Sequence, residues 1–566
     1  MRKFALLLTL FFTLAPFAES PPGGNSVFPL SEVKPGMIAK GFSVFKGEEI
    51  SSFEAEVIDI QQIGAIREPM IICRLKGPFF EKNGVIAAMS GSPLYIGDKF
   101  LGAVAMGWSF SKEPICGITP AEQMTALYVK KTGGGSGTEL PARGASDLTA
   151  YLDAITAEDR LTTCLPRMLE AKGFSLSYGG GEKKLSPADI KPGSVIGVQL
   201  LQGDVELTAF GTVSSVNGGE SLAFGHSFFG LGDVDFPVVK GRISAILPSL
   251  LFSFKIAAAG DEIGRMTYDS PYGIVLENGK RARTLPVEIS YEKSDGTKEY
   301  KLIRIVRHPM LSGMLLETAL RLVHENLEGT GGNLHLALDG LEFGFEGGRT
   351  VAVPPQRFGG EAAPDTMTAF IAETYSLLTQ NVYRKEKPEG VKVSLRAFKG
   401  REEGKLLEIR ALSSSVRKGD AIELDAAFAP FEGEKTVHRI TIPTEGLPAG
   451  EIRVVAGDGL SVYKRAAAGL GEVASDFGSL CAALSGMPRG GRLAYAVLAE
   501  REAVYYGGRR VPDLPPSLEA GLPSAREGSI AKNAERVLAG PLEGPDTGYF
   551  SGLLEVKVNI REKESK

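Results

Sequence analysis

Gly84 to Trp108 reads GVIAAMSGSPLYIGDKFLGAVAMGW. An apolar run from Val85 to Met89 meets a tight Ser90-Gly91-Ser92-Pro93 corner, and two strand-like runs follow, Leu94 to Ile96 and Phe100 to Met106. Gly97-Asp98 between those runs predicts a hairpin turn. Upstream, Phe53 to Ile60 (FEAEVIDI) alternates apolar and polar residues, and part of Met70 to Leu75 does the same, the period of a half-buried strand. Val33-Lys34-Pro35-Gly36-Met37 places a Pro-Gly turn ahead of the first strand. Downstream, Pro114 to Pro120 leads into an expected helix near Ala121 to Lys130, with Thr119 as its N-cap and Pro120 at its first position. These signals amount to roughly six strands and one terminal helix, a compact β domain over residues 27–130.

The rest of the chain repeats the β character. At 566 residues it exceeds one ordinary domain. The 70 glycines are spread along the chain, which implies many turns and a mainly β protein. Residues 131–190 hold glycine-rich linkers (Gly133 to Gly137, Gly179 to Gly181) and an expected helix around Pro166 to Lys172. A second β-rich segment, 191–330, has expected strands at Val195 to Leu201, Val205 to Val213, Arg283 to Ser290 and Tyr300 to Val306, and a helix over Met314 to Leu327. Residues 331–566 begin with a helix that Asp365 is expected to cap. Strand-like runs follow at Val391 to Ala397, Leu406 to Ala411, Ala421 to Ala427, Val437 to Ile442 and Ile452 to Val455, with a last strand at Leu553 to Ile560. That spacing predicts a C-terminal β-sandwich-like module.

Residues 1–18 have the pattern of a secretory signal: Arg2 and Lys3, an apolar core from Phe4 to Leu14, and Ala15-Pro16-Phe17-Ala18 as the cleavage region. No later run has the length and apolarity of a membrane span, because Pro248 and Lys255 interrupt the best one. The expectation is an exported protein of the periplasm, cell envelope or extracellular space, with no integral membrane segment after signal cleavage. A net charge of −5 gives no reason to propose nucleic acid as a partner. Of Cys73, Cys116, Cys164 and Cys481, the first and second flank the Ser90 hairpin; they form either a disulfide or two buried thiols. No C-x-x-C spacing exists and the five histidines are scattered, so neither a metal nor another cofactor is expected.

The small-x-Ser-Gly-x-Pro corner, hairpin and glycine-containing strand resemble the nucleophile region of trypsin-like serine proteases. Two blocks together resemble the peptidase domain of the SpoIVB family of serine peptidases, family S55. The first is Glu81 to Pro93 (EKNGVIAAMSGSP) with Gly102-Ala103-Val104; the second spans Gly193 to Pro286. Within the second lie Ile196-Gly197-Val198, Gly211-Thr212, Phe224-Gly225-His226, Ser270-Pro271-Tyr272-Gly273-Ile274 and Leu285-Pro286-Val287. The family places its histidine half before its serine half. Here the order is reversed, which reads as a circular permutation of one trypsin-like two-barrel unit.

The resemblance implies that Ser90 is the nucleophile and His226 the general base, with the N–H groups of Ala88 and Ser90 as oxyanion hole. This chain has Ala88 where the family prefers glycine. It also lacks the family's acid, having Leu75-Lys76-Gly77-Pro78 in that region. Asp233 or Asp235, soon after His226, is the candidate to orient the imidazole. Ser92 is expected to bond within the corner. The implied function is limited proteolysis of an envelope or secreted protein, with a protein or peptide substrate and an envelope protein as possible partner. The alternatives are an inactive scaffold of the same fold and a precursor that cuts its own linker.

Overall fold

The computed structural model describes residues 21–22, 26–63, 68–130, 174–181, 183–186, 189–329, 334–381, 383, 387–399, 404–430, 434–470, 476–506, 509–511, 531–546 and 550–562. The expected signal peptide, Cys164 and the expected helix at 166–172 lie outside these residues. The described residues form two compact units, one within 21–130, 174–202 and 206–284, the other within 203–205 and 285–562.

The first unit begins with β1 (Ile38–Lys46), β2 (Glu49–Ile63) and β3 (Glu68–Leu75), then α1 (Pro78–Asn83) and a short β4 (Ile86–Ala87). After the corner come β5 (Pro93–Ile96), β6 (Lys99–Gly107), β7 (Ile115–Pro120), α2 (Ala121–Thr125) and α3 (Leu127–Lys130). Strands β1-β2-β3-β7-β6-β5 close into a six-stranded barrel. Alternation decides which side chains fill it: Phe53, Ala55 and Val57 of β2 and Ile71, Cys73 and Leu75 of β3 point inward and are buried. Gly97-Asp98 is the β5–β6 turn. Cys73 and Cys116 face each other across β3 and β7 as buried free thiols.

The same unit continues with β8 (Phe174–Tyr178), β9 (Val195–Gly203), β10 (Val205–Asn217), β11 (Glu220–Ala223), β12 (Gly232–Leu247), β13 (Ser253–Ser270) and β14 (Gly273–Asn278). Pairing runs β9-β12-β13-β14-β11-β10, and β10 pairs back onto β9, so these strands also form a six-membered ring. Barrel and ring share apolar contacts: Phe42, Tyr95, Phe100 and Met124 pack with Leu222 and Val275. The β4 segment leaves the barrel and pairs in parallel with β13, Ile86 opposite Ser253 and Ala87 opposite Phe254. The corner at residues 88–92 is therefore strung between the two.

The second unit opens with β15 (Thr284–Glu292), β16 (Lys298–Val306), α4 (Ser312–Glu328), β17 (Leu334–Phe345), β18 (Thr350–Val353), β19 (Gln356–Phe358), α5 (Ala363–Thr379) and β20 (Pro388–Lys399). The boundary between the two units falls at Thr284/Leu285, inside the segment 191–330 that the sequence reading treats as one barrel half. The reason is pairing: β15 runs parallel to β20, Val287 opposite Val391, in the order β18-β17-β20-β15-β16. That pairing also takes Val391 to Ala397 out of the expected sandwich. Asp365 is not the cap of α5 but lies in its first turn, paired with Arg321 at 3.1 Å.

The remaining elements are β21 (Gly404–Ala411), β22 (Ser415–Arg417), β23 (Ala421–Pro430), β24 (Thr436–Pro443), β25 (Gly450–Asp458), α6 (Gly459–Leu470), α7 (Phe477–Ser485), β26 (Arg492–Tyr506), β27 (Arg509–Val511), β28 (Ala531–Asp546), β29 (Phe550–Ser551) and β30 (Leu553–Arg561). They make a four-stranded sheet, β24-β23-β21-β29, and a six-stranded one, β22-β30-β25-β26-β27 with β28 on β26. One core joins the two sheets, with Ile422, Leu424 and Ala426 on one side and Ile452, Val454, Val497 and Val558 on the other.

Candidate active site

The Ser90 corner is held in a conformation that its residues do not prefer. Ala88 has φ 69°, the left-handed region that costs a residue with a Cβ about 1–3 kcal/mol. Such a conformation persists only where the surroundings over-determine it, and here every backbone carbonyl of residues 88–92 is engaged. The Ala88 carbonyl accepts from Lys255 Nζ and from Thr212 Oγ1, each at 3.3 Å. Thr212 N–H donates to Ser90 O at 2.8 Å, and Ser214 Oγ donates to Gly91 O at 2.8 Å. Gly91 N–H donates to Val104 O at 2.7 Å and Ser92 N–H to Met89 O at 2.8 Å. At about 1 kcal/mol net per hydrogen bond, these contacts offset the strain at Ala88. Gly91 itself has φ 89°, and a Cβ there would press on Thr212 O and Phe224 N, so only glycine fits.

The histidine arrives on a turn from the ring. Phe224 is a second strained residue, φ 71°, and its ring lies over Gly211, where any Cβ would collide with it. Phe224 N–H donates to Thr212 O at 3.2 Å, on the residue that also grips Ser90. The Gly225 carbonyl accepts from Thr119 Oγ1 at 2.6 Å. Thr119 was expected to cap the following helix; Pro120 holds that position without a side-chain bond, and the hydroxyl ties the barrel to the histidine turn instead. His226 is half-buried, and its Nδ1 lies 2.7 Å from Ser227 O. A carbonyl can only accept, so Nδ1 carries the proton and Nε2 is the basic nitrogen. Burial pushes the His226 pKa below its ordinary value, opposed by the Ser227 bond and by the charge of Asp269.

The ring thus brings the turn of His226 against the corner of Ser90. Among the described residues no hydrogen bond joins the two side chains. The carboxylate whose charge His226 feels is Asp269, at the end of β13, and not either of the aspartates expected from sequence. Asp235 is held by Arg265 at 3.2 Å and accepts the Arg283 N–H at 3.0 Å. Asp233 pairs across to Tyr268 in the β12–β13 ladder and makes no bond to His226. Asp269 accepts the N–H groups of Phe228 and Phe229, both at 2.7 Å, and of Leu231 at 3.1 Å, which fixes the loop beyond the histidine.

A second group was also missed. Lys255, Ser43, Ser92 and Thr212 form one buried network. Lys255 Nζ donates to Ser43 Oγ at 2.9 Å, and Ser92 Oγ lies 2.9 Å from Ser43 Oγ and 3.4 Å from Thr212 Oγ1. Ser92 therefore bonds beyond its own corner. Desolvation takes the Lys255 pKa from 10.5 to about 7. A Ser-Ser-Lys chain of this kind is able to relay a proton, but Ser43 and Ser92 are both 0% exposed and no substrate reaches them. The sequence signal was present, since Lys255 is the one charge in an apolar stretch, yet nothing local points from it to Ser43.

Comparison with family models, curated proteins and solved structures found no match to this chain. Among the described residues no group of three or more His, Cys, Asp and Glu side chains is placed to hold a metal ion, and no helix is long and apolar enough to cross a membrane. A cleft of about 280 Å³ lies elsewhere in the first unit, beside Ile50, Ser194 and Ile263. It includes neither Ser90 nor His226, and its lysines are paired at 2.6 Å, Lys240 with Glu48 and Lys191 with Asp189.

Proposed function

We propose that the chain is a serine peptidase of the SpoIVB type, in which the two halves of a trypsin-like unit occur in permuted order. It acts outside the cytoplasm in limited cleavage of an envelope or secreted protein. One observation carries this reading: Thr212 N–H and Ser214 Oγ donate directly to the carbonyls of Ser90 and Gly91, and Phe224 N–H donates to Thr212 O, so the two sequence blocks, far apart in the chain, meet at one place. In the proposed mechanism His226 Nε2 takes the proton from Ser90 Oγ as that oxygen attacks the scissile carbonyl. The N–H groups of Ala88 and Ser90 receive the oxyanion. The proton then passes from His226 to the leaving amine, and water repeats the sequence to release the acyl group. The Ser227 carbonyl fixes the imidazole tautomer, the service an aspartate gives in the usual triad, while Asp269 adds negative charge nearby. The lowered pKa keeps the imidazole neutral, as a base must be, at neutral pH. Proton transfer requires the two side chains to tighten to hydrogen-bond reach, as catalytic contacts do when substrate binds.

The second reading, a catalytically silent binding scaffold, is favoured by the missing Ser90–His226 bond and by the absence of a carboxylate on Nδ1. Labelling the full chain with a fluorophosphonate separates the two. The peptidase reading expects covalent labelling that is lost in Ser90→Ala and His226→Ala. A folded wild-type chain that takes up no probe supports the scaffold.

A further inference from the structure

Lys255 is a charged side chain in an unusual place. It projects from β13 into the junction of barrel and ring, is 6% exposed, and has no carboxylate partner among the described residues. Its nitrogen meets Ser43 Oγ at 2.9 Å from β1, the Ala88 carbonyl at 3.3 Å from the corner, and the face of the Phe45 ring at 5.2 Å. An amine desolvated this completely is costly to keep unless its contacts do something that an apolar side chain cannot. The contact that stands out is the one to Ala88. That carbonyl belongs to a strained residue of the corner, and the residue's own N–H is one of the two proposed oxyanion donors.

We propose that Lys255 is a positioning residue for the proposed active site, holding the Ala88 carbonyl inward so that the left-handed backbone at Ala88 persists and its N–H faces the reacting carbonyl. This rests on the peptidase reading. A positive φ at a residue with a Cβ relaxes to negative φ when nothing opposes it, and that rotation swings the N–H relative to the C=O. Two side chains oppose it here, Lys255 and Thr212, both bonded to the Ala88 oxygen. They are themselves linked through Ser43 and Ser92, so the grip reaches from the corner to β1 of the barrel and to β10 and β13 of the ring. Glycine at position 88 takes a positive φ freely and needs no such grip. An alanine there and a buried lysine against its carbonyl form a matched pair.

That pairing gives a test that separates positioning from ordinary packing. Lys255→Met keeps the apolar stem and removes both hydrogen bonds of the amine. In the full chain, with folding verified by Trp108 fluorescence, its rate of fluorophosphonate labelling is expected to fall at least tenfold. Adding Ala88→Gly to Lys255→Met is expected to recover most of that loss, because the strain that Lys255 opposes is then gone. A lysine that only filled space would not be rescued from position 88. Labelling of Lys255→Met within twofold of wild type, or a loss that Ala88→Gly fails to recover, overturns the proposal. If the wild-type chain takes up no probe, it is the peptidase reading that fails. Hydrogen exchange of residues 84–94 then decides the inference: faster exchange in Lys255→Met supports the grip on Ala88, and unchanged exchange overturns it.

Discussion

Replacing Lys255 by methionine changes how the stability of the first unit depends on pH. Desolvation lowers the amine's pKa from 10.5 to about 7. At about 1.4 kcal/mol per tenfold change, that depression corresponds to roughly 5 kcal/mol carried against the charged form in the native state. Because the folded pKa lies below the unfolded one, the unfolded state binds the extra proton between about pH 7 and 10.5, and stability rises with pH across that window. Below about pH 7 both states are protonated and the whole cost of the buried charge is present. The methionine variant loses two hydrogen bonds, about 1 kcal/mol each, but carries no such cost. It is therefore expected to be less stable than wild type near pH 10 and more stable near pH 6, the difference moving by about 3–5 kcal/mol. Urea unfolding at several pH values, followed by the fluorescence of the chain's only tryptophan, Trp108, measures this in the right unit. A difference between variant and wild type that stays constant within about 1 kcal/mol from pH 6 to pH 10 refutes the reasoning.

Gly91→Ala forces a methyl group against the backbone of Thr212 and Phe224 at a φ of 89°. It is expected to cost about 2–4 kcal/mol and to abolish probe labelling, with chemical denaturation and mass spectrometry as the readouts. Asp269→Asn removes a negative charge that raises the His226 pKa. The imidazole is expected to titrate at lower pH in an NMR titration, and weaker bonds to the 228–231 loop should reduce stability by about 2 kcal/mol. Burial lifts the Cys73 thiol to about 12 and raises that of Cys116 as well. Both are expected to resist alkylation in the folded chain and to react only in denaturant, as peptide mapping after iodoacetamide treatment reports.

The sequence by itself determined what is local. Alternation in β2 and β3, the Gly97-Asp98 turn and the helix over Met314 to Leu327 are legible because a strand or helix declares its period over a few residues. The six-strand count of the first barrel follows from those signals. The mainly β class does too, and so does the choice of Ser90-Gly91 and Phe224-Gly225-His226 as the segments to watch. What surrounds those segments was decided by tertiary structure. Asp269 reaches the histidine loop because the β12–β13 ladder places Gly232 opposite Asp269. Thr119 leaves its expected capping role because Gly225, 106 residues away, offers a buried carbonyl. The parallel pairing of β15 with β20 moves the unit boundary back to Thr284. Lys255 and Ser43 are 212 residues apart, and nothing in either neighbourhood encodes the other. The packing of barrel against ring joins them, and a contact made in that way depends on the register of several strands at once, which no single window of sequence contains.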